Sequence, residues 1–323
     1  MNLKTQMERI INANYSNLAG LVVRKNGETV YENYYNGYTA DDTLHIASVT
    51  KSIVSILIGI ALDKGTIKSI EEKVLGYFPD YNIARGEKTI QRVTIKDLMT
   101  MTAPYKCKTE PYAKVFAGEG WVDAALNLLG GKGEIGTFRY SPLVGIHILS
   151  GILVKATGQS ILDFATEHLF APLDIQVKNN VVLHGKEENM AFLKSRNISG
   201  WVVDPEGINT AGWGLTLKAT DMAKIGQLTL DKGLWEGKQI VPIKWIEEST
   251  KEQSLSKEWK MSYGYLWWVL DPKEHCYAAI GDGGNIIYVN AKKGLVISML
   301  SFYMQNAKDR RKLIKDYIEP AFE

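Results

Sequence analysis

Ser48-Val49-Thr50-Lys51, continued by Ser52-Ile53-Val54-Ser55-Ile56-Leu57-Ile58-Gly59-Ile60-Ala61-Leu62 and closed by Asp63-Lys64-Gly65, reads as a buried apolar helix that opens on an S-x-x-K tetrad. Gly65 supplies the C-terminal stop that helices favour. The apolar run from Ile53 to Leu62 is broken by Ser55 and Gly59 and is too short to cross a bilayer, which takes roughly 20 residues. Residues i and i+3 share a helical face, so the Lys51 amine can reach the Ser48 hydroxyl. A serine at a helix N-terminus also sits where unpaired N–H groups favour negative charge. For Lys51 to act as a base it must be neutral, which requires burial or neighbouring cations. The tetrad alone does not decide this. Ser254-Leu255-Ser256-Lys257 repeats it in a polar segment, where a helix cap followed by a solvated lysine is the plainer reading.

Upstream of the helix, Leu18 to Arg24 and Glu28 to Tyr35 flank Lys25-Asn26-Gly27, a strong hairpin signal. Downstream, from about residue 68 to 215, short helical patterns (Thr94 to Met101, Trp121 to Leu129, Pro142 to Thr157, Ile161 to Leu169) alternate with loops rich in Gly, Pro and Asn. Strand patterns return over Tyr263 to Leu270, Cys276 to Ile280, Asn285 to Asn290 and Leu295 to Leu300. A closing helix over Asp309 to Ile318 carries Leu313, Ile314, Tyr317 and Ile318 on one stripe. The expected fold class is α+β: an antiparallel sheet flanked by N- and C-terminal helices, with a mainly helical insertion. Residues 1–67 and 216–323 would form the sheet domain and 68–215 the helical one.

The 323 residues are 45% hydrophobic and 23% charged, with 38 Lys and Arg against 36 Asp and Glu. That balance suits a globular chain and offers no basic face for nucleic acid and no polybasic membrane surface. Cys107 and Cys276 stand in separate segments and read as two unrelated thiols. Neither CxxC nor HExxH spacing occurs, so neither a metal nor another cofactor is expected. Met1 to Ile11 has helical spacing rather than the apolar core of a signal peptide, which predicts a cytoplasmic protein; a trimmed exported form would read the same. The sequence leaves the oligomeric state open.

Taken together, several segments resemble the serine β-lactamase, penicillin-binding-protein and related esterase superfamily, closest to its class C-like branch. Leu44-His45-Ile46-Ala47-Ser48-Val49-Thr50-Lys51 is similar to its nucleophile segment. Val93 to Thr102, Tyr140-Ser141-Pro142, Gly151 to Gly158 with Phe170-Ala171-Pro172-Leu173, and Ala211-Gly212-Trp213-Gly214-Leu215 with Asp221 follow in the family's order. Tyr263 to Trp268 and Gly281-Asp282-Gly283-Gly284 complete it. The resemblance implies a serine hydrolase acting on an ester, an amide, a β-lactam or a D-amino-acid peptide. It makes Ser48 the acyl-forming nucleophile, Lys51 its base, and Tyr140 the phenol that exchanges protons with Ser48 and the leaving group. The backbone N–H groups of Ser48 and Asn285 would hold the oxyanion. Pro142, Trp213, Asp282, Gly283 and Gly284 would line a site for a small or peptide-like acyl substrate.

Two positions depart from the family pattern. Pro142 stands where Asn is usual and offers no side-chain donor and no N–H. Asp282 stands where Lys or His is usual: facing the cleft, it would repel a substrate carboxylate and favour a neutral or amine-bearing substrate, whereas a strand-end or turn residue facing away would do neither; Arg139 would restore positive charge if it faced the cleft. The same departures motivate a rival reading, a regulatory protein that binds ligand without turnover. His45 lacks the G-x-S-x-G context of a Ser-His-Asp triad and reads as structural or solvent-facing.

Overall fold

The structure, a computed structural model, describes residues 2–116 and 118–323. Met1, the first residue of the expected N-terminal helix, lies outside them. That helix, α1 (Leu3–Asn14), is capped by the Asn2 side chain, which accepts the Lys4 N–H at 2.9 Å. The hairpin follows as β1 (Leu18–Lys25) and β2 (Glu28–Tyr34), with Asn26 and Gly27 at φ 50° and 87°. Positive φ at both central residues is what a tight two-residue turn requires, and Asn-Gly supplies it cheaply.

The other six strands of the main sheet come from the last quarter of the chain: β3 (Ser254–Ser256), β4 (Met261–Tyr263), β5 (Trp268–Asp271), β6 (Cys276–Gly281), β7 (Asn285–Asn290) and β8 (Leu295–Ser301). They join the hairpin in one antiparallel sheet of order β2-β1-β8-β7-β6-β5-β4-β3. The central strands β7 and β8 are buried along their whole length, so the usual in–out alternation is absent. Both faces are covered. On one, Leu21, Tyr288 and Ile297 pack with Met7 and Ile11 of α1 and with Leu313, Ile314 and Ile318 near the C-terminus. On the other, Val22, Ile287 and Val296 pack with α2 (Val49–Asp63) and the later helix Ala219–Leu230.

Helix α2 is buried continuously from Val49 to Ala61, polar residues included. Its seven buried large aliphatics, Val49, Ile53, Val54, Ile56, Leu57, Ile58 and Ile60, each contribute about 1.5–3 kcal/mol on burial. Their sum outweighs the several kcal/mol that burying one lysine costs. Gly59, which interrupts the apolar run, is where the Trp245 indole lies against the helix while its Nε1 donates to the Ser55 carbonyl at 2.9 Å. A Cβ at residue 59 would fall 2.1 Å from the indole. Gly59→Ala is therefore expected to destabilise the fold by about 3 kcal/mol, seen as a lower urea midpoint at unchanged slope.

Three expectations change. Tyr263 to Leu270 is not one strand: β4 and β5 are separated by a turn at Gly264–Trp267, in which the Gly264 N–H bonds the Trp267 carbonyl and Leu266 takes φ 63°. Ser52 of α2 donates to the Leu266 carbonyl at 2.6 Å and fixes the turn from below, a partner over two hundred residues away. The closing helix is segmented, with an α-turn at Arg310–Leu313, a wider π-type turn at Ile314–Ile318 and a last α-turn at Glu319–Ala321. Within 68–215, Asn179–Val182 and Gly200–Val203 form a small parallel ladder that the loop-rich composition concealed. Cys107 and Cys276 are both free thiols.

Candidate active site

Ser48 is placed by strain and by the helix it begins. Ala47, just before it, holds φ 51°, a conformation a non-glycine residue enters at a cost of about 1 kcal/mol or more. The chain thereby turns from the short Leu44–His45 strand straight into α2. The Ser48 side chain makes no capping bond to the helix. Its hydroxyl instead receives a hydrogen bond from Lys51 Nζ at 2.6 Å, and the same amine donates to the Gly212 carbonyl at 3.0 Å. Lys51 is 2% exposed, so the solvated-lysine reading fails here. At the second tetrad it is the helix that fails, because Ser254 lies on edge strand β3 and donates to the Thr100 carbonyl at 2.7 Å.

Burial pulls the Lys51 amine down to about 7, against smaller opposing effects of Asp282 and Glu110. Tyr140 lies beside this pair, with Lys51 Nζ 5.7 Å from its ring centroid. Burial pushes the Tyr140 phenol well above its ordinary range, and the neighbouring Ser48 hydroxyl only partly offsets that. The resting proton inventory near pH 8 is therefore a neutral amine and a protonated phenol. Trp259 and Trp268 pack on the ring at 5.3 and 5.8 Å and fix its plane.

Three depressions meet at Tyr112 and Pro142, and two of them are lined by Ser48. A recess of about 310 Å³ is lined by Ser48, Lys51, Pro142, Trp213, Asp282 and Asn285, among others. A trough of about 780 Å³ runs from Ser48 and Tyr140 along Asp282, Gly283 and Gly284 toward residues 303–311. A groove of about 1050 Å³ lies on the far side of Tyr140. All nine residues singled out in the sequence thus border one site. Within the described residues no backbone acceptor takes the Ser48 N–H, which leaves it available to an oxyanion. Asn285 is held by its side chain, which donates to the His45 carbonyl at 3.3 Å and the Asp282 carbonyl at 3.0 Å.

Asp282 is exposed at the rim of the recess and the trough, and its carboxylate has no hydrogen-bond or ion-pair partner among the described residues. Arg139 does not compensate for it. Its guanidinium stacks on Tyr105 and reaches the Tyr105 carbonyl and Cys107 instead. His45 is structural: its Nε2 accepts the Gly214 N–H at 2.9 Å, its ring packs between Phe192 and Trp213, and desolvation pulls it down to about 3. Sequence reasoning missed Glu110, which accepts from the Ser141 hydroxyl and from the Val144 N–H, so that it braces the segment carrying Tyr140. No motif in Lys108 to Tyr112 marks it. Tyr112 and Trp259, both exposed at the cleft, were missed for the same reason.

The beta-lactamase family model matches residues 12–319 of the chain. Over 304 residues the chain is 24% identical to a 6-aminohexanoate-dimer hydrolase of Paenarthrobacter ureafaciens, covering 87% of this chain and 71% of that one. Its structure is similar to a penicillin-binding-protein homologue from Caulobacter crescentus, with TM-score 0.72 at 14% identity over 100% of this chain and 98% of the other. It is equally similar to a family VIII carboxylesterase, with TM-score 0.72 at 16% identity over 98% and 96%.

Proposed function

We propose that this chain, which belongs to the beta-lactamase family, is a serine hydrolase that forms an acyl-enzyme on Ser48 and cleaves a neutral or amine-bearing amide or ester. The observation that carries the reading is the 2.6 Å contact between Ser48 Oγ and a buried Lys51 amine pulled down to about 7. Neutral Lys51 takes the Ser48 proton as Oγ bonds to the substrate carbonyl carbon. The carbonyl oxygen becomes an oxyanion facing the N–H group of Ser48; Asn285, expected as the second donor, pairs instead with Gly281 across the hairpin. When the bond to the leaving amine or alcohol breaks, the Tyr140 phenol donates its proton to that group and is reprotonated from the Lys51 ammonium. Water then attacks the ester on Ser48, releases the acid and restores the hydroxyl.

The substrate preference rests on charge. The carboxylates of Asp282 and Glu110 both act on Lys51, so the cleft repels a substrate carboxylate near the reacting carbon. A relative that hydrolyses a 6-aminohexanoate dimer and a structural neighbour that is a carboxylesterase support the same amide and ester range.

Intact-mass spectrometry after exposure to a fluorophosphonate, with the adduct mapped by peptide analysis, tests the nucleophile. Label confined to residues other than Ser48 in folded protein ends the proposal. Turnover of nitrophenyl esters should exceed that of a chromogenic cephalosporin, and binding without any product would favour the regulatory alternative. A pH profile gives a further check. Because the base must be neutral, kcat/KM for ester acylation should rise tenfold per unit below the Lys51 pKa and level off above about 7. A flat profile from pH 5 to 9 would count against Lys51 as the base.

A further inference from the structure

Arg310, at the start of the C-terminal helical segment, is 2% exposed, yet no carboxylate pairs with it among the described residues. The nearest in sequence, Asp309, is engaged by Arg311. Arg310 Nη2 donates to Asn17 Oδ1 at 2.6 Å and Ser301 Oγ at 3.2 Å, Nη1 donates to the Lys308 carbonyl at 3.1 Å, and Nε has no partner among the described residues. A buried cation without a counter-ion weakens a fold, and such breaches of the pairing rule concentrate at functional sites.

What the guanidinium lies against gives it a use. Gly283 and Gly284 hold φ 79° and 89°, and a Cβ on Gly284 would fall 2.6–2.8 Å from Arg310 Nε, Cζ and Nη2. The guanidinium is therefore packed flat beneath the turn that carries Asn285 into the site. Both of its bonded side chains grip that turn: Asn17 Nδ2 donates to the Gly283 carbonyl at 2.7 Å, and Ser301 Oγ donates to the Gly284 carbonyl at 3.3 Å. The Ser301 N–H completes the set by donating to Asn285 Oδ1 at 2.9 Å. Tyr15 covers the guanidinium at 4.8 Å, so it is closed to a substrate anion.

We propose that Arg310 is a positioning residue for Ser48 acylation: through Asn17 and Ser301 it clamps the Gly283–Gly284 turn, which lines the trough that reaches Ser48, and so fixes the wall against which the reacting acyl group lies. This rests on the hydrolase reading above. A shift of about 1 Å in a wall that positions the substrate can cost on the order of 10²-fold in rate, and a smaller shift costs less. Arg310→Met should slow Ser48 acylation by nitrophenyl acetate roughly 10–100-fold with KM within about threefold, and melt at or above the wild-type temperature because the unpaired charge is gone. Arg310→Lys should recover part of the rate. Asn17→Ala, which cuts the link to Gly283 and leaves Arg310 in place, carries the same rate prediction if the methionine variant does not fold. A merely structural arginine gives the opposite pattern, a lower melting temperature with an unchanged rate per folded molecule, and that result overturns the proposal, as does acylation of Arg310→Met at the wild-type rate. A wild-type protein never labelled at Ser48 fails the hydrolase reading itself and takes this proposal with it, whereas labelled wild type with an equally fast Arg310→Met fails this proposal alone.

Discussion

Ser48→Ala and Lys51→Met should each lower kcat for a nitrophenyl ester by about 10⁴–10⁶-fold, and the double variant should be no worse than either. The reason is that the two groups act through one contact: a hydroxyl without a base is a poor nucleophile, and a base without a hydroxyl has nothing to deprotonate. Independent contributions would instead multiply, so a double variant slower than both singles by the product of their effects refutes the shared role.

The same pair carries a stability signature of opposite sign. Lys51 falls from an ordinary 10.5 to about 7 in the folded chain, so the unfolded chain binds its proton more tightly. The resulting penalty is fully present below about pH 7, corresponds to roughly 5 kcal/mol, and is relieved as pH rises toward 10.5. Lys51→Met removes the penalty but leaves the Gly212 carbonyl without its donor, so the net gain is smaller, about 1–3 kcal/mol at pH 6. A variant that is both slower and harder to melt at pH 6, with the advantage shrinking by pH 10, is the expected outcome. Loss of stability at pH 6 would mean that the amine is not buried as a charge.

The nucleophile segment was legible because its information is local. An apolar helix buried all round and an i, i+3 pair are contained within sixteen residues, Ser48 to Asp63, and the Asn26-Gly27 turn declares the hairpin upstream. The Gly264–Trp267 turn was not legible, since its determinant is a hydrogen bond from Ser52 and the aromatic run itself has strand character. Glu110 and Arg310 escaped for the same reason. Glu110 acts on Ser141 and Val144 across some thirty residues, and Arg310 acts on Asn17 across nearly three hundred. Their residue types carry no signal until the fold brings their partners together. The direction of the Tyr140 shift was also hidden. A phenolate there needs a cation, but the nearest amine is itself held near neutrality, so burial decides and the phenol keeps its proton.

Asp282→Lys should reverse the charge preference of the site. The wild-type carboxylate is unpaired, exposed and on the rim of both the recess and the trough, so any charged substituent near the scissile bond meets it through water. At about 4 Å a unit charge pair in that setting is worth on the order of 1 kcal/mol. The substitution changes the residue by two charges, and an ammonium-bearing and a carboxylate-bearing ester respond in opposite directions. The ratio of their kcat/KM values should therefore move by about 10³-fold toward the carboxylate substrate, with a neutral ester nearly unaffected. Salt supplies the control, since screening by 1 M salt should shrink the change severalfold for an exposed residue. Asp282→Asn should fall about midway. If the neutral ester slows as much as the charged ones, residue 282 shapes the turn rather than selects the substrate; if the ratio does not move at all, the Asp282 carboxylate faces away from the bound acyl compound and the amine preference falls.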